Sequence, residues 1–77
     1  MGKKRIMVGV AETTDEHFTP YYATIDPKGL PIGRIALSLA RQCFSGKKFV
    51  YMAFPEKTRW KDADKKLQPI WEKYREK

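Results

Sequence analysis

Apolar and polar positions fall in blocks that predict the order strand, strand, helix, strand, helix. The segment Arg5-Ile6-Met7-Val8-Gly9-Val10-Ala11 is rich in β-formers and free of proline, so it reads as a strand. Side chains alternate along a strand, which puts Ile6, Val8 and Val10 on one face and Met7, Gly9 and Ala11 on the other. Apolar character on both faces predicts a central strand. Gly9 inside it marks either a bulge or the close approach of another segment. Glu12 to Pro20 is polar and reads as a loop. Tyr21 to Ile25 is a second strand, followed by the turn Asp26-Pro27-Lys28-Gly29. In that turn Pro presets φ, Asp bonds the backbone ahead and Gly accepts positive φ.

Ile32, Ile35, Ala36, Leu39, Ala40 and Cys43 recur at helical spacing and form a one-sided apolar stripe. Pro31 suits the first turn and Ser45-Gly46 the end. A return strand over Gly29 to Arg34 competes with this reading, and the longer helical match outweighs it. Lys48 to Phe54 is a third strand, closed by Pro55. From Thr58 to Lys77 a second helical pattern runs through Trp60, Asp64, Leu67, Trp71 and Tyr74, broken by the carboxylate and by Pro69. Proline removes the bond to the carbonyl of Lys65, which predicts a kink or two short helices meeting near Leu67.

The expected fold is a small α+β domain, β-β-α-β-α, with a three-stranded sheet in the order 2-1-3 and a right-handed crossover. The first helix covers one sheet face. The C-terminal helix covers the other or stands free. A core of about residues 5–55 carries a basic, aromatic tail of about 58–77, all within one domain.

Composition narrows the function classes. Seventy-seven residues leave little chain for the walls of a deep catalytic cleft. The aromatic share, 13%, speaks against disorder along the whole chain. Cys43 is the single cysteine, so no intrachain disulfide forms, and its place on the helical stripe makes it a small buried hydrophobe. No apolar run reaches the roughly 18 residues of a membrane span. Ile6 to Ala11 is too short for a signal sequence, so the expected location is the cytoplasm. Sixteen Lys and Arg against nine Asp and Glu give a net charge of +7, which favours partners with negative fields.

Catalytic groups are scarce. His17 is the only histidine, in the acidic stretch Glu12 to His17, with no nucleophile at a defined spacing. That stretch lacks the interleaved spacing of a calcium loop and the second His or Cys of a zinc site. Ser45-Gly46-Lys47-Lys48 lacks the longer glycine pattern of a phosphate loop. The expectation is therefore a non-enzymatic binding protein without cofactor, metal or small-molecule substrate, acting as a monomer.

Basic residues supply the candidate contacts. Lys3, Lys4 and Arg5 precede strand one, and Lys47 and Lys48 precede strand three. Antiparallel neighbours would carry these as two patches at opposite ends of the sheet. Arg34 and Arg41 sit two turns apart on the polar face of the first helix, and Arg59 and Trp60 open the tail. Within Lys47 to Phe54, the residues Lys47, Phe49, Tyr51 and Phe54 partly resemble the RNP1 signature of RNA-recognition motifs, which implies base stacking on Phe49 and Tyr51. Lys48, Val50 and Met52 depart from it, and strand packing accounts for aromatics there equally well. In the tail, Trp60 or Trp71 would anchor a protein partner or pack on the sheet. Asp62, Asp64, Glu72 and Glu76 speak against an anionic membrane.

Short, basic and aromatic-rich, the chain is similar in composition to small phage-encoded regulators that dock on host RNA polymerase. The resemblance implies regulation of a nucleic-acid machine through contact with an acidic protein surface. Direct DNA or RNA binding is the alternative expectation.

Overall fold

The computed structural model describes residues 5–44 and 48–75. The elements are β1 (Ile6–Glu12), β2 (Pro20–Ile25), α1 (Ile32–Phe44), β3 (Phe49–Pro55) and α2 (Trp60–Tyr74). They match the expected order, with boundaries moved by one to three residues. The expected stop of the first helix at Ser45-Gly46 lies outside the described residues.

The sheet has the order β2-β1-β3, with both neighbours antiparallel to β1. Ile6 faces Ile25 on one side and Pro55 on the other. The turn before α1 uses the predicted chemistry. The Lys28 N–H donates to the Asp26 carboxylate at 3.1 Å, the Leu30 N–H donates to the Pro27 carbonyl at 2.8 Å, and Gly29 takes φ +79°.

Register also fixes which backbone groups face outward from the edge strands. The Thr13 N–H donates to the Lys48 carbonyl at 3.0 Å, in the register that continues as Ala11–Val50, Gly9–Met52 and Met7–Phe54. In an antiparallel ladder, pairs that exchange bonds alternate with pairs that do not. Phe49, Tyr51, Ala53 and Pro55 therefore turn their main-chain groups away from β1. On β2 the same alternation turns Pro20, Tyr22 and Thr24 outward. Both strand prolines thus sit where the missing N–H faces away from the ladder, the position an edge strand tolerates.

Each face of β1 has its own core and its own helix. Val8 and Val10 pack with Ile35 and Ala36 of α1, flanked by Ile6, Ile25, Leu39 and Phe49. Met7 and Ala11 pack with Val50, Phe54, and Ala63, Leu67 and Trp71 of α2. The C-terminal helix therefore covers the second sheet face. It also runs unbroken through Pro69, so the two-helix alternative does not occur. Its inner face is Ala63, Leu67 and Trp71, whereas Pro69 and Lys65 are exposed. The carbonyl that proline leaves without its helical partner belongs to Lys65, an exposed residue of the outer side.

Candidate functional site

The most unusual surface group is Trp60, 65% exposed at the first position of α2. One side of the Trp60 ring lies against Tyr22 of β2, with centroids 5.6 Å apart. The Tyr22 hydroxyl donates to the Asp64 carboxylate, one helical turn after Trp60. Asp64 thus interrupts the apolar stripe of α2 because it receives this bond. Burial, reinforced by the bond and by the negative charge of Asp64, holds the Tyr22 phenol well above its ordinary range.

Gly9 makes the arrangement possible. It is the cross-strand partner of Tyr22, and a Cβ added there would lie 2.5 Å from the Tyr22 ring. Of the two readings of Gly9, close approach by another segment is the one realised. The ring of Tyr22 crosses bare backbone, reaches Asp64 and forms a platform under Trp60.

Charge gathers at the same end of α2. A shallow concavity where β3 passes into α2 is lined by Pro55, Lys57, Thr58, Arg59, Asp62, Lys65 and Lys66, four cations against one carboxylate. Lys61 follows Trp60 and is also exposed. Among the described residues none of the four lining cations is held in an ion pair. Arg5 is exposed at the same end of the sheet, because Ile6 faces Pro55.

The other predicted contact residues are dispersed. Lys48 lies at the opposite end of the sheet from Arg5, as antiparallel strands require. Lys3, Lys4 and Lys47 lie outside the described residues. Arg34 and Arg41 are exposed on α1, across the sheet from Trp60, and share a surface concavity with Leu37, Ser38 and Gln42. Phe49 and Tyr51 point to the α1 side. Phe49 is half-buried between Phe44 and Tyr51, while Tyr51 keeps 44% of its surface exposed. Phe54 is buried on the opposite face, so the stretch resembling RNP1 does not form one open aromatic surface.

Trp71 has a structural task. Buried against the sheet, it donates its indole N–H to the Glu12 carbonyl at 2.7 Å and meets Phe18 at 5.4 Å. The Arg75 guanidinium stacks 4.8 Å over the Trp71 ring and donates to the Glu16 carbonyl at 3.3 Å. These contacts tie the acidic β1–β2 loop to the end of α2. His17 is exposed in that loop, and no group of three potential metal-binding side chains occurs among the described residues.

Sequence reasoning named Arg59 and Trp60 but missed Lys57, Lys65, Lys66 and the Tyr22–Asp64 pair. The signal for the pair was present as a carboxylate in an apolar stripe opposite a tyrosine-bearing strand. Comparison with protein-family models, curated proteins and solved structures gives no match.

Proposed function

We propose that this chain is a non-enzymatic binding protein that holds a single-stranded nucleic acid at the start of α2. The supporting observations are an exposed tryptophan at the start of α2, braced by Tyr22, and a concavity at the same end of the helix that is lined by four cations. Stacking on an aromatic ring and phosphate contacts to Lys and Arg are the two elements of sequence-tolerant single-strand binding. Bracing lowers the ordering cost, because the ring is already presented before the ligand arrives.

The surroundings of Trp60 favour a nucleic acid over a protein at this corner. Cores of protein interfaces are depleted of lysine and enriched in apolar neighbours. Here Arg59 and Lys61 flank Trp60 in the chain, and the concavity at the same end of α2 has only Pro55 as an apolar lining residue. Docking on a nucleic-acid machine such as RNA polymerase is the second reading, and its support lies elsewhere, in the free edge of β3.

The test is a titration with a thymidine oligonucleotide at several salt concentrations, read by tryptophan fluorescence. Trp60 reports stacking, because Trp71 is buried. Four phosphate contacts predict a slope of log K against log salt of about −3. Trp60→Ala should weaken binding by about 1–3 kcal/mol. Lys65→Ala and Lys66→Ala should each flatten the slope by about 0.7. A salt-independent affinity would sink the reading. So would a polyglutamate chain that binds as tightly as the oligonucleotide.

A further inference from the structure

β3 is an edge strand whose outer side presents the main-chain N–H and C=O groups of Phe49, Tyr51 and Ala53. No side chain from Phe49 to Phe54 is charged, so this edge lacks the lysines that commonly keep sheet edges from pairing. The β2 edge is shorter, with outward groups on Tyr22 and Thr24 between Pro20 and the turn. A groove beside β3 is lined by Thr13, Phe49, Val50, Tyr51, Ile70 and Tyr74, with Lys48 at its rim. Cations mark both ends of this edge. The Lys73 ammonium lies 5.5 Å over the Tyr74 ring, and Lys66 stands two helical turns earlier, beside Pro55.

We infer that β3 docks an extended acidic peptide segment of a partner protein, which adds as a fourth strand to the sheet. Strand addition supplies hydrogen bonds through the main chain and selectivity through alternate side chains. Here the apolar side chains on one face of the incoming strand enter the groove between Ile70, Tyr74 and β3. Its carboxylates meet Lys66 and Lys73. Charge selects an acidic partner over a second copy of this chain, because each copy carries +7 and the β3 edges would bring like charges together. The inference does not depend on nucleic-acid binding at Trp60, whose ring lies over β2.

The experiment selects a displayed library of random peptides, about ten residues long to span the seven of β3, against the intact chain. Enriched sequences should be acidic, free of proline and alternately apolar. A selected peptide should shift the amide resonances of Phe49, Tyr51 and Ala53. Ala53→Pro removes one outward N–H as Pro55 already does, and should weaken the peptide about tenfold or more. Thr24→Pro on the other edge should leave its affinity unchanged. If Ala53→Pro unfolds the chain, N-methylation of alternate peptide residues decides on the unaltered protein, with the same loss expected. Failure to enrich any sequence overturns the inference, as do peptides that bind as helices or ignore N-methylation. A dimer in sedimentation that Ala53→Pro dissolves also overturns it, since the edge would then belong to a second copy.

Discussion

Replacing Gly9 by alanine tests the link between the core and the surface platform. The added Cβ would stand 2.5 Å from Cε1 and 2.7 Å from Cδ1 of Tyr22, whereas unstrained carbon contacts lie at about 3.5–4.0 Å. The ring must therefore retreat by roughly 1 Å. It is not free to do so, because its hydroxyl is bonded to Asp64 and its ring is in tilted contact with Trp60 and edge contact with Phe54. Overpacking of this kind costs about 1–3 kcal/mol. Loss of the bond to a charged partner adds about 1.5–3 kcal/mol. Relief of glycine's entropy in a strand returns about 0.5–1 kcal/mol.

The expected net loss is about 1.5–5.5 kcal/mol, from a total stability of about 4–12 kcal/mol for a chain of this length. Thermal unfolding followed by circular dichroism should show a midpoint lower by roughly 10–35 °C. The same Gly9→Ala change in a Tyr22→Ala background should be neutral or slightly stabilising, because the obstructing ring is gone. A single variant that melts within a few degrees of the parent would refute the reasoning. An undiminished loss in the double variant would refute it equally.

Alkaline titration gives a second test. The unfolded chain releases the Tyr22 proton near 10.0, and the folded chain retains it to higher pH. Between those points the folded form holds the extra proton, so the stability contributed by this group is intact below about pH 10 and falls as pH rises further. Urea unfolding at stepped pH should show a steeper alkaline decline in the parent than in Tyr22→Phe. Trp71→Phe should cost roughly 2–3 kcal/mol by leaving the Glu12 carbonyl without its indole donor, and hydrogen exchange should quicken in the loop between β1 and β2.

How much of this was legible in the sequence depends on the range of the interaction. Alternation in β1, with apolar residues on both faces, announced a central strand, and the stripe from Ile32 to Cys43 announced α1. Both are local periodicities. The turn at Asp26 to Gly29 was equally local. The fate of the C-terminal segment was open, because a proline and a carboxylate in a helical pattern do not reveal what packs behind them. Pro69 is tolerated because it falls on the outer face of α2, and Asp64 because Tyr22 reaches it from β2. The cation cluster was divided in the sequence between a loop and the helix. Lys57 and Arg59 become neighbours of Lys65 and Lys66 only when α2 winds back past the β3 connection.

The topology also restricts where binding can occur. Helices pack on both faces of β1, so the residues of the RNP1-like stretch do not form one open row. Phe49, which partly matches a base-stacking position, is half-buried against Phe44 of α1, and Phe54 is buried in the α2 core. What such a layered domain leaves to a partner is its strand edges, its helix ends and the outer helix faces. Trp60 lies at a helix end, and its exposure is maintained by a hydrogen bond and a ring contact from the core. Tyr22 supplies both, and Gly9 gives it the room. A substitution at Gly9, which is itself buried, should therefore disturb Trp60 without touching any residue of the binding surface.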